Sequence, residues 1–197
     1  VDGVKIGSSN SICAWSFYPG KNLGAFGDGG AITTSDSDLA SRVRELSNYG
    51  SAKRYVHSKI GVNSRLDPIQ ACLLNIKLPK LIEWNGRRHA VANYYSENIN
   101  SPYVKLPKVI YGSTAAWHLY VVEIQFDRDE FIKYMENHEI DCLIHYPQTI
   151  IEHECFKDVP LDFRDLSVSL SLSKNIVSLP IGPHIKKDEV KFVVDTI

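Results

Sequence analysis

Apolar positions in this chain fall into short blocks divided by glycine, proline and small polar residues, and the spacing within each block predicts its element. Ile12 to Phe17 is apolar enough for a buried strand, and Pro19-Gly20 stops it. Ala31-Ile32-Thr33-Thr34 reads as a second strand. Ser35-Asp36-Ser37-Asp38 then supplies N-cap residues and first-turn acid. Leu39, Val43 and Leu46 recur at helical spacing and Gly50 follows as a stop, which predicts a helix over about 36–48. Residues 51–66 are polar and irregular. Asp67-Pro68 opens a helix with proline at its first position, and Ile69, Leu73 and Ile76 share a face. Pro79 falls where that pattern would continue, so a kink or break is expected at 78–80. Helical character then resumes through Leu81, Trp84, Arg87-Arg88 and Tyr94 to about Asn98.

At Asn100-Ser101-Pro102 the texture changes, which divides the chain into residues 1–98 and 99–197. Trp117 to Gln125 is a strand by aromatic and β-branched content. Asp127 to Asn137 is a helix whose start carries an acid at the third position, Glu130. Ile140 to His145 reads as a short strand ending at Tyr146-Pro147. Ser167 to Leu172 alternates strictly and so favours a strand, although Val168, Leu172 and Ile176 also fit a helical face. Lys186 to Ile197 closes as a helix. Strands and helices interleave, so the class is α/β or α+β, with a helix-rich stretch joining two parts.

Composition narrows the functional classes. The 197 residues are 44% hydrophobic and 23% charged with formal net charge −1, ordinary for a chain with a real core. That balance gives no electrostatic argument for a nucleic-acid partner or a membrane surface. No apolar run approaches the roughly 20 residues that span a bilayer. Cys13, Cys72, Cys142 and Cys155 form no C-x-x-C pair and read as reduced, mostly buried thiols of a cytoplasmic protein. The histidines show no metal-ligand spacing, so no metal site is expected. The chain opens without methionine and ends inside an apolar pattern, which is the expectation for a segment of a longer protein.

Candidate chemistry concentrates in Ser16-Phe17-Tyr18-Pro19-Gly20-Lys21-Asn22-Leu23-Gly24-Ala25-Phe26-Gly27-Asp28-Gly29-Gly30. Five glycines follow Pro19 within eleven residues, so the segment is expected to reach φ > 0 and to bring main chain close to a bound group. A lysine in a glycine-rich turn is ordinarily a solvated surface group. Nucleotide loops are the next alternative, but Gly24-x-x-Gly27-x-Gly29-Gly30 lacks the dinucleotide spacing, Asn22 follows Gly20-Lys21, and a strand follows Gly30. A framed lysine beside a hydroxyl and open backbone suits imine chemistry with a phosphorylated aldehyde.

These residues resemble the active-site lysine segment of the pyridoxal-phosphate-dependent nucleotide-sugar aminotransferases, the DegT/DnrJ/EryC1/StrS family. The resemblance covers essentially the whole chain but only the second part of the family's length. It implies the α/β fold type I of PLP-dependent transferases (aspartate-aminotransferase-like). Residues 1–98 would be the end of the cofactor domain with a connecting helix, and 99–197 the small domain. It also implies a helix over 167–172, and that reading is preferred there to the strand.

By the same resemblance, Lys21 is the Schiff-base lysine for pyridoxal 5′-phosphate. Dehydratase relatives carry histidine there, so transamination is implied. Ser16 would bind the cofactor phosphate, as would Asn63 supplied from the neighbouring subunit of a homodimer. Val62 stands where many relatives carry tyrosine, which puts the local packing in doubt. His145 and Tyr146, in a shared His-Tyr-Pro run, would touch the nucleotide-sugar substrate. Trp117-His118-Leu119-Tyr120 also resembles a family motif, with His118 read as a core or interface residue. Arg87-Arg88 reads as a solvated helix face.

The implied reaction moves an amino group from an amino-acid donor, glutamate, to a keto-deoxysugar. The branch acting at C3 of dTDP-3-keto-6-deoxyhexoses is the nearest match through Leu179-Pro180-Ile181-Gly182-Pro183-His184, with amination at C4 the competitor, in surface-polysaccharide or natural-product biosynthesis. The acidic partner of the cofactor's ring nitrogen lies upstream in the family and maps to none of these residues. The alternative from another class is a non-catalytic dimerising or regulatory remnant of the fold.

Overall fold

The computed structural model describes residues 3–8, 12–159 and 165–197. They form two compact units: residues up to Glu83 together with Ile110–Thr114, and Trp84–Val109 together with Ala115–Ile197.

In the first unit, β1 (Cys13–Ser16) pairs antiparallel with β2 (Gly30–Thr33), Ser16 opposite Gly30. The strand expected to be buried is not: Ile12 is half exposed and Trp15 and Ile32 are open to solvent, because among the described residues this sheet has two strands. Helix α1 (Ser37–Leu46) starts where Asp36 accepts from the amides of Asp38 and Leu39. Gly50 ends the turn after it at φ +69°, and a Cβ there would lie 1.8 Å from the Lys59 carbonyl oxygen. Helix α2 (Pro68–Lys77) runs into a 3-10 turn at Leu78–Lys80, the break expected from Pro79, and α3 (Leu81–Asn98) follows. The shared face of α2 is largely uncovered, since Ile69 and Ile76 are exposed while Leu74 is buried.

The second unit holds the main core. The three-stranded antiparallel order is β3 (Val104–Lys105), β4 (Tyr120–Ile124), β5 (Ile176–Leu179), with Tyr120 opposite Leu179. β4 alternates buried and half-buried residues along its length. Val91, Ala92 and Tyr95 of α3 join Tyr120, Val122, Ile124, Val177 and Leu179 in the cluster. Helix α4 (Arg128–Asn137) adds Phe131 and Met135, and α6 (Lys187–Thr196) adds Val190 and Val193. The Tyr95 hydroxyl satisfies itself on the Pro180 carbonyl at 2.8 Å, as a buried phenol must.

Two expectations for this unit are corrected, and one is borne out. The strand predicted for Ile140–His145 is a single bridge, Leu143 to Ser178, because only that residue exchanges both main-chain bonds with β5. β5 itself went unread, being four residues without a polar alternation to mark it. Arg88 is buried, not solvated: Nη1 donates to the carbonyls of Trp117, His118 and Ile181 at 3.3, 3.2 and 3.2 Å, and burial pushes the guanidinium pKa down. The alternating stretch from Ser167 is the helix that the resemblance implies, α5 (Ser167–Asn175), with Asp165 accepting from the Ser167 amide. Leu166, Leu170 and Ser173 turn inward at helical spacing; of the expected face, Leu172 and Ile176 are half-buried while Val168 faces solvent.

Candidate functional site

The Lys21 segment leaves β1 at Ser16 and returns to β2 at Gly30, so strand pairing holds both ends. The Phe17 amide donates to Gly29 O at 2.8 Å and the Ala25 amide to Phe17 O at 2.7 Å, which closes the loop on itself. Within it, the Lys21 amide donates to Tyr18 O at 2.8 Å, making Pro19-Gly20 the corner of a tight turn. The five glycines act here by close approach rather than by left-handed backbone: none has φ > 0, but a Cβ on Gly24 would lie 2.1 Å from Pro19 O. Lys21 is half-buried.

Helix α2 braces the far side of the loop. The Phe26 amide donates to Gln70 Oε1 at 2.8 Å, and Lys77 Nζ donates to Gly24 O while standing 5.4 Å from the centre of the Phe26 ring. Sequence reasoning missed Gln70 and Lys77. Their separation from the loop by some fifty residues left no spacing signal to follow.

Ser16 is exposed, and its Oγ accepts from the Tyr18 amide at 3.3 Å. Its own proton bonds no described residue, so the hydroxyl is able to donate to an anionic oxygen. Asn63 belongs to the same unit but to another loop. Its main chain bridges Asn48, with the neighbouring Ser64 amide on Ser47 O at 2.9 Å, and its side chain is exposed. Asn63 Oδ1 accepts from Arg65 Nε at 3.2 Å, which leaves the amide N–H groups outward. The loop leading to Asn63 is anchored at buried Glu45, which accepts from Lys59 Nζ and Ser58 Oγ. Those two bonds, Lys59 first, hold its carboxyl below the usual carboxylate range.

A hollow of about 780 Å³ in this unit runs past Trp15, Ile32, Val43, Arg44 and Leu66, and neither Ser16, Lys21 nor Asn63 lines it. The chemistry of the donor set, not a deep cavity, fits a phosphorylated aldehyde. A half-buried lysine and a hydroxyl with a spare proton stand on one braced loop.

His145 and Tyr146 lie together in the second unit, ring centroids 5.4 Å apart and nearly perpendicular. His145 is half-buried and its Nδ1 is 2.8 Å from Oγ of Ser178, on buried β5. Tyr146 is exposed. Ser178 is a third residue the sequence did not single out, because β5 was not recognised. Cys142, just before this segment, is pushed up to about 12 by burial and by Asp141 and Glu136, and so is an unreactive thiol at neutral pH.

Among the described residues no helix is long and apolar enough to cross a membrane, and no group of three or more His, Cys, Asp or Glu residues is placed to hold a metal ion.

The pattern defining the DegT/DnrJ/EryC1/StrS aminotransferase family matches residues 1–197. The erythromycin biosynthesis sensory transduction protein EryC1 of Saccharopolyspora erythraea is 40% identical over 99% of this chain and 53% of its own length. The dTDP-3-amino-3,6-dideoxy-alpha-D-galactopyranose transaminase of Aneurinibacillus thermoaerophilus is 42% identical over 100% of this chain and 53% of its own. The crystal structure of S. venezuelae DesV, solved in complex with a ketimine intermediate, superposes with a TM-score of 0.92 at 41% identity, over 99% of this chain and 53% of that one. The chain thus spans about half the length of the curated relatives it matches.

Proposed function

This chain belongs to the DegT/DnrJ/EryC1/StrS aminotransferase family and has the fold of its sugar aminotransferases, and from that premise we propose that the whole protein transfers an amino group to a nucleotide-linked keto-deoxysugar. Aminotransferases of this family depend on pyridoxal 5′-phosphate. The substrate in this reading is a dTDP-3-keto-6-deoxyhexose and the donor is glutamate. The product serves surface-polysaccharide assembly such as lipopolysaccharide O-antigen, and the protein acts as a cytoplasmic homodimer. The name of the A. thermoaerophilus relative supports the C3 position.

The observation that carries this reading is the braced loop. Lys21 follows the Tyr18–Lys21 turn, and Ser16 stands at the loop's mouth with a proton to give. When bound, the cofactor supplies the electron sink for amino transfer. In this reading the Lys21 amine anchors the cofactor covalently and carries protons to and from the reacting carbon. Ser16 donates to the phosphate without adding charge. Asn63 offers its outward amide to the same phosphate in a partner subunit's site, and His145 and Tyr146 hold the nucleotide sugar. Residues 1–98 then end the cofactor domain with its connecting helix, and 99–197 form the small domain. The remaining donors, including the acid for the ring nitrogen, come from the rest of the whole protein.

Borohydride reduction of the whole protein with pyridoxal phosphate, followed by peptide mass mapping, tests this. The expected result is a phosphopyridoxyl adduct on Lys21. Its absence there overturns the reading and favours a non-catalytic dimerising or regulatory protein built on the same fold.

A further inference from the structure

We infer that Ser178 is a positioning residue that holds His145 in one tautomer, so that the neutral ring presents an Nε2 proton to an oxygen of the sugar-nucleotide substrate. The inference rests on the reading above in which His145 touches that substrate.

Three observations carry it. First, Ser178 is 4% exposed, and both its main-chain groups are already used: its amide donates to Leu143 O at 2.7 Å and its carbonyl accepts from the Leu143 amide at 3.2 Å. Second, among the described residues the hydroxyl has one hydrogen-bond partner, Nδ1 of His145 at 2.8 Å. Third, the outer nitrogen of His145, Nε2, bonds none of the described residues, and the ring stands edge-on to exposed Tyr146.

Counting hydrogens then selects the tautomer. A serine hydroxyl has one proton to donate, and a neutral imidazole has one nitrogen that donates and one that accepts. If Nδ1 carried the ring proton, it would donate to Oγ, and the serine proton would point into a buried site without an acceptor. That arrangement forfeits a hydrogen bond and strands a desolvated donor. If Nδ1 accepts, the serine proton is satisfied and the ring proton moves to Nε2, on the open side. Ser178 itself comes from the centre of β5, between β4 and the Leu143 bridge, and so has little freedom to follow a rotating ring. An uncharged donor of fixed direction suits a sugar hydroxyl, a keto oxygen or a diphosphate oxygen.

The test uses the whole protein labelled with ¹⁵N histidine, with His145 assigned by loss of its signal in His145→Gln. Imidazole nitrogen shifts distinguish the two tautomers directly. The expected result is an Nε2–H ring in the parent protein, a mixture of tautomers in Ser178→Ala, and recovery in Ser178→Thr, which restores the hydroxyl. KM for the nucleotide sugar should rise between about two- and tenfold in Ser178→Ala, the range for one neutral hydrogen bond. Reactivity of Lys21 toward pyridoxal phosphate should stay unchanged, which separates this effect from loss of folding.

An Nδ1–H ring in the parent protein, or the same single tautomer in Ser178→Ala, overturns the inference. A tautomer that shifts in Ser178→Ala while KM stays constant in both Ser178→Ala and His145→Gln overturns the functional half. That outcome also removes His145 from the substrate site while leaving the Lys21 reading intact.

Discussion

The amide of Phe26 donates to Oε1 of Gln70 at 2.8 Å, joining the far side of the Lys21 loop to helix α2 across 44 residues of sequence. With Lys77 holding the Gly24 carbonyl, one helix face sets where the loop can go. The geometry of the lysine is therefore a property of α2 as much as of the loop.

Gln70→Ala should loosen that loop without unfolding the unit. Losing one partly exposed hydrogen bond costs about 0.5–1.5 kcal/mol. Exchange of the Phe26 amide should accelerate by about two- to tenfold, and the borohydride-trapped adduct at Lys21 should form more slowly. Unchanged exchange at Phe26 would show that the glutamine is not the brace.

Gly24→Ala tests close packing in the same loop. Its Cβ would sit 2.1 Å from Pro19 O, a main-chain atom that cannot rotate aside. The expected loss is about 1–3 kcal/mol, the usual range for overpacking. It should appear as a lower denaturant midpoint with an unchanged slope.

Glu45 makes the loop before Asn63 sensitive to acid. Lys59 and Ser58 hold its carboxyl below the ordinary range, so folding binds fewer protons there than unfolding does. The resulting stability is full above the ordinary carboxylate pKa of about 4.3 and is lost as pH falls through the lower folded value. Glu45→Gln should be less stable than the parent at pH 7 and should lose part of its acid dependence. Denaturation midpoints followed from about pH 7 to pH 3 will measure this.

Arg88 links α3 to the Trp117-His118 segment and to Ile181 through three carbonyls. Arg88→Ala leaves those acceptors in a buried site and should destabilise the second unit by about 2–4 kcal/mol. Arg88→Lys should recover only part of that, since an ammonium lacks the planar fork. Thermal unfolding of the three proteins measures the order.

Thiol alkylation gives an independent check on the second core. Against the expectation of mostly buried thiols, Cys72 and Cys155 are exposed and Cys13 is half-buried, whereas Cys142 is pushed up to about 12, first by burial and then by Asp141 and Glu136. At pH 8 its thiolate fraction is roughly one in ten thousand. Iodoacetamide followed by peptide mapping should therefore modify Cys72 and Cys155 well before Cys142.

Local chemistry made several elements legible from sequence alone. Asp36 and Asp127 cap the helices that follow them, Pro68 opens α2 and Pro79 breaks it, because caps and proline act through the residue's own neighbours. The tight turn before Lys21 and its return into β2 were legible for the same reason. So was the family, through the motif spacing around that lysine.

What tertiary structure decided were the features whose cause lies far along the chain. Alternation from Ser167 to Leu172 is as good a strand pattern as any here, yet the segment is helical, with Leu166, Leu170 and Ser173 inward. Ile140–His145 forms a single bridge to β5, a strand that itself carries no periodic mark. Arg88 looks like surface until three carbonyls from residues 117, 118 and 181 converge on it. Likewise His145 could be singled out by its motif, but its partner Ser178, 33 residues on, could not. Periodicity reports which side of an element is apolar; which group satisfies a buried donor or acceptor depends on what packing brings within 3 Å of it.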